Sequence, residues 1–253
     1  LKSFPFKYID FNDFKNNVFH VTAEFSLECR LAAETRRADI VIFINGIPLV
    51  VIECKKPSVD LQEAIYQLIS YQKDENIPKL FTYAQILIAV NSQAAKYATT
   101  ASKFEYWAIW REQQENPLLT KSVHDKLSSA EKEMLFQGDF SKARRHFNIL
   151  DQAGERAITE QDRLIFSLCE RKRLLDLVFN YIVYDSGNKK IARYQQYFVI
   201  KATIERILAK SNSGLAHHGG MIWHTQGSGK SLTMVMLVRS ILLSKELKNP
   251  RIL

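Results

Sequence analysis

The sequence predicts an α/β protein in three parts: a mixed-sheet unit over 1–115, a helical linker over 116–190, and from 191 to 253 the start of a second α/β unit built on a phosphate-binding loop. Three observations predict it. Apolar, β-branched runs alternate with turn residues in the first ninety positions, the hydrophobic spacing turns helical after Pro57, and glycines precede a long apolar-periodic stretch near the end.

VFHVTAEFSLE (18–28), ADIVIFI (38–44) and LVVIECK (49–55) read as successive strands of one sheet, with NGIP at 45–48 turning the chain between the last two. Leu61, Ile65, Leu68, Ile69 and Gln72 then share one helical stripe, and Ser58 or Asp60 stands ready to cap it. QILIAVN (85–91) and YWAIW (106–110) are further strand candidates that complete the first unit. Residues 111–160 are polar and patternless in places, a linker with short helices. ERKRLLDLVFNYIVYD (170–185) has helical spacing, SGNKK breaks it, and RYQQYFVIKATIERILAK (193–210) is a second amphipathic helix. A glycine pair then leads into a short apolar strand, a glycine loop and a long helix, and the chain stops at Leu253 within a helical pattern. Opening on Leu1, it is expected to be a piece of something longer.

With 253 residues and 46% hydrophobic content, the chain has material for a substantial core. A formal net charge of +8 favours polyanionic partners without identifying the anion. The three cysteines form no CxxC pair, which points away from a zinc site or a disulfide framework and toward a reducing compartment. There is no apolar run of membrane-spanning length and no signal-peptide pattern, so a soluble, cytoplasmic protein without membrane contact is expected.

HTQGSGKS (224–231) matches the P-loop pattern except that His224 stands where the first glycine belongs. In such a loop Thr225, Gln226, Gly227, Ser228 and Gly229 wrap backbone N–H groups around phosphate oxygens, and the following helix N-terminus adds partial positive charge. Lys230 reaches the β- and γ-phosphates, and Ser231 ligates Mg²⁺. ATP and Mg²⁺ are the expected ligands. Beyond Ser231 the sole carboxylate side chain is Glu246, so this chain alone is not expected to hydrolyse ATP efficiently.

The most hydrophobic strand ends in Glu53 and Lys55, which alternation places on one face. Asp39 begins the strand that folds back beside it, so Asp39 and Glu53 are expected to be neighbours. Two desolvated carboxylates repel, and Lys55 offsets only one. A divalent cation restores the balance, and Mg²⁺ is satisfied by one or two carboxylates with waters and phosphate oxygens. That combination points to phosphodiester hydrolysis with Asp39 and Glu53 as metal ligands and Lys55 as the catalytic cation. Gln67 and Tyr71, four apart on the next helix, join the constellation.

Asp39, Glu53-x-Lys55 and Gln67-x-x-x-Tyr71 resemble the PD-(D/E)xK nuclease core of the restriction (R) subunits of type I restriction-modification enzymes. Downstream, RLLDL (173–177), ARYQQYFVIK (192–201) and WHTQGSGKSLTM (223–234) resemble the entry to the RecA-like helicase motor of the same subunits. The resemblance implies Mg²⁺-dependent cleavage of double-stranded DNA after ATP-driven translocation, within an assembly that contains methylation and specificity subunits. It implies that Gln67 and Tyr71 support the nuclease site or touch DNA, and that Gln196 is the adenine-reading glutamine upstream of the P-loop. Glu24 or Glu28 is a further acidic candidate for the metal site. Two other accounts fit the motifs: an independent nuclease-helicase of another defence or repair system, and a catalytically silent DNA-binding scaffold.

Overall fold

The apolar runs of the first hundred residues form one five-stranded sheet. A computed structural model describes residues 7–114, 116–154, 156–209, 219–247 and 249–252. The strands are β1 (Phe19–Glu28), β2 (Thr35–Ile44), β3 (Ile47–Cys54), β4 (Ile86–Val90) and β5 (Ala95–Ala98), and their spatial order follows the chain. β1, β2 and β3 are antiparallel neighbours, β4 joins β3 in parallel, and β5 returns antiparallel to β4. The turn between β2 and β3 is Asn45-Gly46 with φ of 52° and 82°, the left-handed pair that a two-residue hairpin demands.

A parallel pair needs a crossover, and α1 (Leu61–Tyr71) with the short α2 (Pro78–Phe81) supplies it. Asp60 caps α1, its side chain accepting the Gln62 N–H at 2.9 Å. Leu61, Ala64, Ile65 and Leu68 bury one stripe of α1 against Val41, Val51 and Leu87 on one face of the sheet. Burying a leucine such as Leu68 in full stabilises the fold by roughly 1.5–3 kcal/mol. The opposite face, with Ile42, Val50, Ile52 and Ile88, is covered by residues of the C-terminal half. Both faces of β3 and β4 are therefore dry, which is why those strands read as unbroken apolar runs.

The linker is more ordered than its composition suggests. It holds α3 (Pro117–His124), α4 (Ser129–Leu135) and α5 (Ser141–Ala153), the second started by a reciprocal Ser128–Glu131 capping box. α6 (Glu160–Cys169) and α7 (Arg171–Asn180) follow. The helix expected over 170–185 ends at Asn180, because β6 (Ile182–Asp185) pairs with β7 (Asn188–Ile191). Ser186 and Gly187, at φ of 50° and 80°, make a hairpin turn where the sequence suggested only a break. The hairpin is fastened to the first sheet by the Tyr97 hydroxyl donating to the Ala192 carbonyl at 2.7 Å and the Thr99 hydroxyl donating to that of Lys189 at 2.9 Å.

α8 (Tyr194–Leu208) and α9 (Lys230–Leu243) complete the chain; of the helix expected over 193–210, Lys210 lies outside the described residues. Three further expectations are corrected. Residues 106–110 make one bridge, Tyr97 to Ala108, because Trp107 and Trp110 turn into the two separate cores. The apolar stretch before the glycine loop is no strand: among the described residues nothing pairs with it, and Met221 and Trp223 are 89% and 85% exposed. The helical pattern at the end stops at Leu243. Among the described residues no helix is long and apolar enough to cross a membrane.

Candidate active site

The β2–β3 register pairs Ile40 with Ile52 and Val41 with Val51; one step further sets Asp39 across from Glu53. Period-two alternation gives both the face that α1 covers. The Asp39 Oδ2 accepts the backbone N–H of Cys54 at 2.8 Å, tying its carboxylate to the strand that carries Glu53. Glu53 is 1% exposed; its Oε1 receives Lys55 Nζ at 2.9 Å, and its Oε2 is buried with no hydrogen-bond partner. Burial pushes the Glu53 carboxyl up to about 7, the Lys55 hydrogen bond pulls against it, and the Asp39 charge adds to the rise. Burial works to lower the Lys55 ammonium, but the hydrogen bond and the negative charges beside it prevail and hold it above its ordinary range.

Lys55 does not hang free. Its Nζ also donates to Gln67 Oε1 at 2.6 Å, Gln67 Nε2 donates to the Tyr71 hydroxyl at 2.5 Å, and that hydroxyl donates to the Arg37 carbonyl at 3.1 Å. Gln67 and Tyr71 sit one turn apart on α1, so the helix that covers the sheet also fixes the lysine. All five residues that the sequence singled out around the carboxylates are thus brought together. Of the additional acidic candidates, Glu24 sits on β1 between the pairs Ala23–Ile40 and Phe25–Ala38 with φ of 53°, and its carboxylate is held by Arg37 at 2.9 Å. Glu28 pairs with Thr35 at the far end of the strand. Among the described residues no third His, Cys, Asp or Glu completes a metal-binding cluster.

The second group of candidates lies on the loop before α9. Gly227 and Gly229 have φ of 77° and 81°, and Gly229 is the N-cap of the helix. The Ser228 hydroxyl donates to the Thr225 carbonyl at 2.7 Å. Lys230 bends back, its Nζ donating to the carbonyls of His224 at 3.0 Å and Thr225 at 3.2 Å. Thr225, Gln226 and Ser231 are exposed. Gln196 is buried against the loop, and a cavity of about 440 Å³ lined by Thr99, Lys103, Lys190, Arg193 and Gly229 opens beside it.

Sequence reasoning missed Arg173. Its guanidinium lies within 5.9 Å of the Trp110, Tyr197 and Phe198 ring centroids and pairs with Glu112, joining the end of the first unit to α7 and α8. The RLLDL segment carried it, but nothing in the sequence says which aromatics meet it.

Residues 2–106 match the family model described as the type I restriction enzyme R protein N terminus, and residues 195–253 match that of the SWI2/SNF2 ATPases. Over 96% of its length the chain is similar to the N-terminal part of R (endonuclease) subunits of type I restriction enzymes. Among individual relatives it is 30% identical, over 96% of its length, to the type I restriction enzyme HindI endonuclease subunit of Haemophilus influenzae. It is 28% identical, again over 96% of its length, to the putative MjaIXP endonuclease subunit of Methanocaldococcus jannaschii. A Staphylococcus aureus endonuclease subunit, SauCOLORF180P, matches 89% of the chain at 27% identity. The chain spans 20 to 22% of the length of these relatives.

Proposed function

We propose that this chain carries the endonuclease site of a type I restriction enzyme together with the first part of its ATP-driven motor. In this reading the five-stranded unit is a PD-(D/E)xK nuclease that hydrolyses double-stranded DNA with Mg²⁺, and the segment from 191 onward opens a RecA-like translocase. The single observation that carries the nuclease reading is Glu53 Oε2, a buried acceptor with no protein partner, facing a second carboxylate across the hairpin.

An unpaired buried carboxylate oxygen costs several kcal/mol unless a cation or a proton meets it. Lys55 answers Oε1 alone, so Asp39 and Glu53 together fit one Mg²⁺, whose other positions water and phosphate oxygens would fill. Bound there, Mg²⁺ supplies a polarised phosphate oxygen and a water acidic enough to attack near neutral pH. The chain supplies the rest. Asp39 is oriented by the Cys54 N–H, and Glu53 by the strand and Lys55. Lys55, aimed by Gln67, presents N–H donors to the charge that builds on the phosphate as water adds and one P–O bond breaks.

At the glycine loop, the N–H groups ahead of α9 and the partial positive charge of that helix end favour a nucleotide phosphate tail. Lys230 would leave the His224 and Thr225 carbonyls for the β- and γ-phosphates, Ser231 would reach Mg²⁺, and Thr225 to Gly229 would line the tail. Translocation of DNA then precedes cutting, and methylation and specificity subunits complete the assembly.

The test is made in the complete restriction assembly with cognate DNA, Mg²⁺ and ATP. Asp39→Ala, Glu53→Ala and Lys55→Ala should each abolish cutting while ATP consumption continues. Lys230→Ala should abolish both. Full cutting by any of the first three defeats the nuclease assignment; undiminished ATP consumption by the fourth defeats the motor assignment.

A further inference from the structure

Gln196 meets the glycine loop in a way that base recognition does not require. Its Oε1 accepts the Arg193 N–H at 2.8 Å, closing the first turn of α8, while its Nε2 donates to the carbonyls of Ser228 at 3.3 Å and Gly229 at 3.1 Å. The residue is 3% exposed, so both ends of the amide are spent on the protein and little edge is left for a purine. The contact is also sterically close: a Cβ on Gly229 would lie 2.7 Å from Gln196 Nε2.

We infer that Gln196 is a positioning residue for the phosphate loop and does not select the base. In a planar trans peptide the C=O and the following N–H point in opposite directions. By drawing the Ser228 carbonyl toward α8, Gln196 turns the Gly229 N–H the other way, toward the concave side where a phosphate tail would lie, and it adds to the hold that the Thr233 N–H and hydroxyl already have on the Gly229 carbonyl at the start of α9. Gly229 then serves twice: it adopts φ of 81° at the N-cap of α9, and it leaves room for the amide that holds it. The inference rests on the proposed phosphate-binding role of the loop.

The experiment measures binding of Mg-ATP, Mg-GTP and Mg-tripolyphosphate to the chain by calorimetry. Gln196→Glu keeps the acceptor for the Arg193 N–H and removes the donor to the loop but adds a negative charge beside the phosphates, so Gln196→Met, which removes the donor without adding charge, is measured beside it and decides the outcome. All three probes should weaken by a common factor, about tenfold or more, the scale of one or two lost hydrogen bonds beside a charged ligand. Gly229→Ala should produce the same base-independent loss, and in the double variant the losses should fall short of multiplying, since one contact is removed twice. A Gln196→Met loss confined to Mg-ATP, or fully multiplicative losses in the Gln196→Met, Gly229→Ala double variant, overturns the inference while leaving phosphate binding intact. If the unaltered chain binds none of the three probes, the phosphate-binding role falls and the inference falls with it.

Discussion

Glu53 is the residue on which the proposed chemistry turns, and its proton can be followed. With its carboxyl raised from 4.5 to about 7, the folded state holds the proton more tightly than the unfolded chain throughout that window. Stability contributed at low pH is therefore lost as pH rises through the window, on the order of 3 kcal/mol at most, and the loss is complete above it. In the absence of divalent ions, Glu53→Gln should flatten the dependence of urea stability on pH between about 5 and 7; an unchanged slope contradicts the assigned burial. Tyr71→Phe tests the tether of Lys55. Losing the hydroxyl between Gln67 and the Arg37 carbonyl should cost about 1 kcal/mol of stability and lower cutting several-fold with DNA affinity unchanged. A parallel fall in DNA affinity would instead make Tyr71 a DNA contact.

At the scale of elements, the carboxylate pair depends on α1 pressing the β2–β3 hairpin into register. Leu68 is fully buried between them, and Leu68→Ala should destabilise the chain by roughly 2–5 kcal/mol in denaturant titrations. A cost below 1 kcal/mol would show that the helix is not seated as described. The same elements explain what the sequence revealed. β2, β3 and β4 are buried on both sides or alternate cleanly, so their β-branched runs stand out, and Asp39, Glu53 and Lys55 could be placed from the hairpin alone. The end of α7 could not, because Leu174, Leu175, Leu177 and Val178 keep helical spacing right up to the β-prone Tyr181–Tyr184. Its partner strand, Asn188-Lys189-Lys190-Ile191, is too polar to announce itself. β5, only Ala-Lys-Tyr-Ala, is too short for a pattern. Gln67 and Tyr71 were legible as helical neighbours, but their bond to Lys55 needed the packing of α1. The apolar residues before the glycine loop misled for the opposite reason: strand propensity is realised only beside a neighbouring strand, and among the described residues none pairs there.

Across the whole molecule, the larger core runs from Ile42, Val50 and Ile88 on the sheet through Leu174 and Tyr197 to Met236 on α9, so the two candidate sites share one packed body. With the partly exposed Arg173 packed against three aromatic rings of that body, the glycine loop and the carboxylates rest on a common frame. The net charge of +8 suits a phosphate backbone, and the affinity of the chain for duplex DNA should fall steeply and linearly on logarithmic axes as salt rises. A flat salt response would argue against any backbone groove. The most direct measurement of the central claim is a crystal of the chain grown with Mn²⁺ in place of Mg²⁺ and recorded at the manganese absorption edge. One anomalous peak should lie within bonding distance of the Asp39 and Glu53 carboxylates and be absent from Asp39→Asn. Saturating Mn²⁺ with no peak between those two side chains would contradict it.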